Sequence, residues 1–198
     1  MTIKKTRKNK KSVVLSDDTN NRYFSESDYI SGDGMLTSVW GPSLWHYLHT
    51  MSFNYPVKPS SHDKKSYRAF IFQLEHVLPC KYCRINLKTN LKNHPLTSKH
   101  LQSRATFSKY VYELHEEINK MLRKQSNLTY EDVRERYEHF RARCGKRKKA
   151  MVVKTRKKKH KGCTESLYKI KSKGVVQIVP QTEKCDSIII DDKCIMKK

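Results

Sequence analysis

No stretch of this chain is an apolar run near the ~18 residues that a membrane-crossing helix needs. The opening "MTIKKTRKNKKSVV" is basic, but no apolar core follows it, so it does not read as a secretory signal. There is no G-x-G-x-x-G between a strand and a helix, which removes the Rossmann way of holding a dinucleotide. There is no second Cys-x-x-Cys and no His pair at finger spacing. His94 and His100 stand six apart with Pro95 between them, so a four-ligand zinc ribbon has only half its donors. Acidic residues are scarce as well, 19 against 42 Lys+Arg, for a net charge of +23. That excess draws the chain to nucleic acid or other polyanions, but it says nothing about fold.

What is present is concentrated in the middle. Both tryptophans and five of the six phenylalanines lie in residues 35–144, within a chain of 198 residues, enough for one domain plus extensions. Residues 1–34 are polar, charged and without sustained period, and read as a flexible basic segment. Residues 145–162, "GKRKKAMVVKTRKKKHKG", read as a basic linker. Residues 163–198 read as a cysteine-containing tail whose runs "GVVQIVP" and "SIII" suit a hairpin or a flexible arm.

Helical periodicity dominates the central region. Pro42 to Phe53 places Trp45, Leu48, His49 and Ser52 on one face, with Pro42 suited to a first turn. A second pattern, His62 to Leu78 with Ser61 as cap, carries Tyr67, Phe70, Ile71, Leu74, Val77 and Leu78. A third begins at the cysteines and carries Leu87 and Leu91. A fourth, Ser103 to Arg123, carries Phe107, Tyr110, Val111, Leu114, Ile118 and Met121. A shorter fifth, Tyr130 to Arg143, carries Val133, Tyr137 and Phe140. Short connections between such helices predict an all-α four-helix bundle with a short fifth helix.

The chemistry rests on "LPCKYC". Pro79 ends one helix and Cys80 opens the next, where free amides and the positive dipole end favour thiolate. Lys81 and Arg84 add charge. Cys80 and Cys83 at this spacing suit a disulfide that exchanges with another dithiol, or half a metal site, or nothing. A redox pair must pass its electrons on, and any flavin would sit inside the bundle among Trp40, Trp45, His49, Tyr112, His115 and Asn119.

"WGPSLWHYLHTMSFNYP" (40–56), "LPCKYC" (78–83) and "SRATFSKYVYELHEEINKML" (103–122) together resemble the Erv/ALR family of FAD-linked sulfhydryl oxidases, most like those encoded by large DNA viruses. The resemblance covers about residues 37–144. It implies FAD bound at one end of the bundle, with Cys80–Cys83 as the catalytic disulfide. Cys83 would then lie nearest the flavin and Cys80 would take the mixed disulfide. Trp40, Gly41, Trp45 and His49 match the first FAD segment. Tyr112, His115, Asn119, Leu122 and Lys124 match the second, and Arg136 and Tyr137 fall beside the adenine. Glu116 stands where the family has Asn, and Tyr137 where it has Trp. Cys144 matches the far cysteine of a second family disulfide whose near partner is missing here.

The implied activity is disulfide formation in protein substrates: electrons pass from dithiols through Cys80–Cys83 to FAD and then to oxygen, giving hydrogen peroxide. Cys185 and Cys194, with Cys163, are the candidates for a shuttle in the tail. A homodimer, no membrane span, weak polyanion binding by the tails, and a place in the host cytoplasm or the virion of a virus complete the expectation. The rival reading is a basic nucleic-acid-binding module with a Cys-based zinc site.

Overall fold

Four of the helices open on the same local device, three of them long enough to build the core. The side chains of Ser60, Ser103 and Thr129 each accept from the backbone amide three residues on. Asp63, Thr106 and Asp132 return the bond to the cap's own amide. Each such capping box satisfies two otherwise orphaned donors, and the cap residue is worth about 1 kcal/mol. The computed structural model describes residues 25–141, 173–180, 182–183 and 189–191. It divides into two compact units at Gly32/Asp33. Among the described residues, the first unit contributes only the one-turn helix α1 (Glu26–Tyr29), capped by Ser25.

The second unit holds the bundle: α2 (Thr37–Phe53), α3 (Ser61–Val77), α4 (Lys81–Asn93), α5 (Arg104–Met121) and the shorter α6 (Tyr130–His139). Helix α2 packs on α5, α3 on α4 and α4 on α5, while α6 lies against α2 and α5. The fold is all-α, a four-helix bundle with a short fifth helix; among the described residues no strand forms, and 173–180 carries no regular structure. The hairpin suggested for the tail therefore does not appear in "GVVQIVP". The rest of that tail, with the 145–162 linker, lies outside the described residues.

The main core joins Leu48, Ile71, Leu74, Leu78, Leu87, Leu91, Phe107, Val111 and Leu114 with Tyr55 and Tyr110. The two buried tyrosines keep their hydroxyls satisfied: Tyr55 donates to the Leu101 carbonyl at 3.0 Å, Tyr110 to that of His94 at 3.0 Å. A second cluster, Phe53, Val133 and Tyr137, docks α6. There the Phe53 and Tyr137 rings lie parallel, 5.6 Å between centroids.

Two stripe residues fall outside the core. Val77 is 65% exposed, because the chain leaves the helix at that residue, and Met121 is 42% exposed at the last turn of α5. The cap of α3 is Ser60 rather than Ser61. The larger correction concerns α2, which starts at Thr37, so Pro42 sits inside the helix and not in its first turn. A residue before proline is normally driven from the helical region by a clash that involves its Cβ, and Gly41 has none. A Cβ there would also meet the Thr37 Cγ2 at 3.2 Å. Proline still removes the amide that would bond the Ser38 carbonyl.

Residues 33 and 34, assigned from sequence to the N-terminal extension, belong to the second unit. Asp33–Met35 pairs with the turn before α4: Met35 N–H donates to the Pro79 carbonyl at 2.6 Å, and Lys81 N–H to that of Asp33 at 3.0 Å. Gly34 pairs with Cys80 in an antiparallel bridge at φ +92°. A Cβ on Gly34 would lie 2.4 Å from the Pro79 carbonyl oxygen, so only glycine fits.

Candidate functional site

A cavity of about 800 Å³ runs through the bundle, lined by α2, α3, α4, α5, α6 and the segment after α5. That volume lies in the range of pockets that enclose a ligand. All thirteen residues singled out as catalytic or cofactor-binding line it: Cys80 and Cys83; Trp40, Gly41, Trp45 and His49; Tyr112, His115, Asn119, Leu122 and Lys124; Arg136 and Tyr137. Cys144, Cys163, Cys185 and Cys194 lie outside the described residues, so the structure says nothing of the tail shuttle or of the partner of Cys144.

The cysteine end is built by α4. Cys80 is its N-cap, and its sulfur accepts the Cys83 amide at 3.3 Å. Both cysteines are partly buried and present as free thiols. Burial alone would raise the Cys80 thiol. Hydrogen bonds from the Cys83 side chain and amide, the Thr37 hydroxyl and the Tyr82 amide outweigh it, so the thiol sits below its ordinary value. Cys83 goes the other way: burial first, then the Cys80 side chain, push it up. Of the two sulfurs, Cys80 is therefore the one biased toward thiolate.

The charges expected to help do so less than their sequence positions suggest. The Lys81 ammonium lies over the Tyr82 ring, 5.9 Å from its centroid, and Arg84 turns back to the Leu78 carbonyl. Neither ranks among the leading influences on Cys80.

The other end is aromatic and neutral. The Trp45 and His115 rings stack at 3.8 Å with 7° between planes. His115 Nδ1 lies 3.0 Å from His49 Nε2, so one proton is shared along that line. Burial, then the charge of His115, lowers the His49 pKa to about 3. Burial lowers that of His115 to about 4, partly offset by Glu116. Both rings are neutral near pH 7.

Helix α5 supplies Tyr112, whose hydroxyl donates to the Leu128 carbonyl at 2.8 Å, and Asn119, whose amide donates to Glu116 at 3.1 Å. Glu116, the residue that departs from the family pattern, thus occupies the neighbouring amide. Tyr137 closes this end. Burial raises its hydroxyl to about 12, and that oxygen lies 3.2 Å from His46 Nδ1.

Several lining residues escaped the sequence reading, His46, Asn90 and Thr37 among them. His46 adjoins a face already assigned, Asn90 on α4 looked like a spacer between leucines, and Thr37 preceded the start assigned to α2. Only the last carried a signal: Gly41 before Pro42 permits a helix to run back through the proline.

The cavity suits FAD on two observations of this structure. His49 Nδ1 is buried with no hydrogen-bond partner among the described residues, although its ring lines the cavity. A buried unpaired polar atom costs about 1–3 kcal/mol, so a ligand hydrogen bond there would be favoured. The walls also join stacked aromatic faces to a few convergent polar groups, the pattern of a cofactor pocket.

The Erv1/Alr family pattern matches residues 42–138. A probable FAD-linked sulfhydryl oxidase of Acanthamoeba polyphaga mimivirus is 35% identical over 104 residues, covering 52% of this chain and 72% of that protein. The mitochondrial FAD-linked sulfhydryl oxidase of Saccharomyces cerevisiae is 27% identical, covering 42% of this chain and 43% of that protein. The counterpart from Arabidopsis thaliana is 30% identical, with 42% of each covered. The chain thus spans under half the length of these two cellular relatives. Among solved structures, the yeast Erv1 core covers 62% of this chain and 97% of its own, at 22% identity and a TM-score of 0.47.

Proposed function

The chain belongs to the Erv1/Alr family, and on that premise we propose that it is an FAD-dependent sulfhydryl oxidase that makes disulfides in protein substrates. The single observation that carries this reading is one cavity with the Cys80–Cys83 dithiol at one end and the Trp45–His115–His49 group at the other. The rival reading, a nucleic-acid module with a zinc site, is set aside by family membership.

FAD, when bound, supplies a two-electron acceptor for the dithiol and a route onward to oxygen, yielding hydrogen peroxide. Trp40, Gly41, Trp45, His49, Tyr112, His115, Asn119, Leu122, Lys124, Arg136 and Tyr137 would hold it. The protein's own chemistry is thiol exchange. A substrate thiolate attacks the Cys80 sulfur of the Cys80–Cys83 disulfide, and the electron pair of the broken bond leaves on Cys83. A second substrate thiolate then displaces Cys80, which departs as a thiolate, and the substrate keeps its new disulfide. Cys80 suits this role because its environment favours charge, and partial burial of both sulfurs limits access to thiols that can enter the cleft. Neutral His49 and His115 leave one ring nitrogen ready to donate or accept without adding charge beside the cofactor.

The visible absorption spectrum of the purified chain tests this. A flavin spectrum that persists in a chain cut to the bundle is expected; a folded, colourless bundle would refute the reading. The tail shuttle rests on sequence: a dithiol on an arm raises the local thiol concentration at Cys80. Cys185→Ala/Cys194→Ala should lose turnover on a reduced protein and keep it on dithiothreitol; equal losses on both would remove the shuttle. A homodimer is proposed on the exposed apolar side chains Val39, Tyr47 and Val77 of α2 and α3, and sedimentation tests it. For a viral chain, the host cytoplasm or the virion is the proposed site of action, where an oxidase would supply disulfides that the surrounding redox poise opposes.

A further inference from the structure

Helix α2 has no side-chain cap: Leu36 occupies the N-cap, and the first helical residue is Thr37. That end of the helix is held by other means. Asp33–Met35 clips to Pro79–Lys81 through two backbone bonds, and the Trp40 indole donates to the Met35 carbonyl at 3.1 Å. The clip brings the start of α2 to the start of α4, and the Thr37 hydroxyl comes to rest 3.5 Å from the Cys83 sulfur. Residues 46 apart in sequence thus meet at the redox pair, and two helix N-termini converge on the same sulfur atoms.

We propose that Thr37 is a positioning residue for the leaving sulfur, held by the Asp33–Met35 clip so that its hydroxyl donates to Cys83 whenever Cys83 carries the negative charge. The inference rests on the exchange chemistry proposed above.

The need for such a donor arises in one state. In the free dithiol, the Cys83 side chain and amide favour charge on Cys80, while Cys80 disfavours it on Cys83. Once a substrate sulfur is bonded to Cys80, that partnership is gone, because Cys80 no longer holds a thiol proton or a negative charge. Attack at Cys80 forms the bond between the substrate sulfur and Cys80 and breaks the Cys80–Cys83 bond, and the electron pair of the broken bond goes to the Cys83 sulfur. Leaving groups of lower pKa leave faster. Burial pushes the Cys83 thiol up, and the Thr37 hydroxyl opposes it. The charged residues on the surrounding elements are Asp33 on the clip, Lys81 and Arg84 on α4, and Glu116 and Lys124 across the cavity. None ranks among the leading influences on either thiol. Thr37 is thus the side-chain donor left in place when Cys80 is engaged.

The test isolates Cys83 in the full chain with Cys80→Ser and follows its alkylation by iodoacetamide against pH, peptide by peptide. Adding Thr37→Val should move the alkylation midpoint to higher pH and slow the reaction near pH 7.5 by about fivefold, as loss of an ordinary hydrogen bond predicts. Thr37→Ser should restore the original profile. A Thr37→Val profile that overlays the parent would overturn the proposal, and so would a Thr37→Ser profile that matches Val. Gly34→Ala, which drives a Cβ into the Pro79 carbonyl, should reproduce the Val shift; a parental profile there would show that the clip does not hold Thr37. The readout needs no flavin, so a colourless protein would sink the oxidase reading and leave this result standing on its own.

Discussion

The two ends of the cavity are tuned in opposite directions. At the dithiol, exposure is partial and hydrogen bonds outweigh burial, so Cys80 is biased toward charge. At the imidazole pair, burial outweighs everything else, and both rings are held neutral. The same bundle therefore places a nucleophile that must ionise within one cavity of groups that must not. The means differ too. The cysteines are fixed by backbone, through the N-cap of α4 and the clip at Asp33–Met35, while the histidines are fixed by ring stacking and one ring-to-ring hydrogen bond.

Removing either sulfur should break the first end outright. Cys83→Ser and Cys80→Ser should each reduce oxygen consumption with a dithiol substrate to background, because one thiol cannot close the bridge. The flavin spectrum should remain, since stacking and hydrogen bonding at the other end hold the cofactor. Wild-type turnover in Cys83→Ser would overturn its assignment as the flavin-proximal sulfur, and loss of colour in both variants would mean that the two ends are not independent.

How much of this was legible in the sequence follows from the same contrast. Features that depend on local pattern could be read directly: helix α5 between Ser103 and its final turn, the cap formed by Cys80, and the leucines of α4. That the cofactor candidates share one cavity was legible because a repeated residue-type pattern on α2 and α5 resembled a known family. Features that depend on long-range contact could not be read. Gly34 looked like a flexible glycine in a polar segment, yet its positive φ serves a bridge to Cys80, 46 residues away. Thr37 met Cys83 only through that bridge. Charge was misleading in the same way: Lys81 and Arg84 are close to the cysteines in sequence, but one lies over a ring and the other bonds a carbonyl.

The second end should reveal itself in acid. A histidine whose folded pKa is depressed takes up its proton on unfolding, so the unfolded state binds more protons below its own value of about 6.5. Stability is therefore fully retained above that value and falls as the pH drops toward the folded pKa values, about 4 for His115 and about 3 for His49. By pH 5 each ring would contribute a loss of at most about 2 kcal/mol. The lowered carboxylates Asp63, Asp132 and Glu138 lose their share only further down, as the pH falls through the carboxylate range. Urea unfolding at pH 7 and pH 5 with the slope unchanged should show the drop; an equal midpoint at both would refute the neutral, buried pair.

The smallest effect separates the bundle from the basic extensions. Residues 1–24 and 146–161 carry 17 of the 42 Lys+Arg and 2 of the 19 Asp+Glu, so removing both takes the formal charge from +23 to +8. The N-terminal cut has to stop before Asp33, because the clip on Pro79–Lys81 belongs to the catalytic end. Clustered Lys and Arg on a polyanion release counterions, which makes binding weak at physiological salt and steep in its salt dependence. The deletion should therefore lower DNA retention and flatten its salt dependence, while turnover on a small dithiol stays within about twofold, since the described lining of the cavity runs from Thr37 to Tyr137. Retention that survives the deletion would place the responsible charge on the bundle itself, where α4 carries Lys81, Arg84, Lys88 and Lys92 without an acidic residue among them. In that case the polyanion would compete with substrate at the mouth of the cysteine end, and added DNA should slow the oxidation of a protein dithiol in the truncated chain.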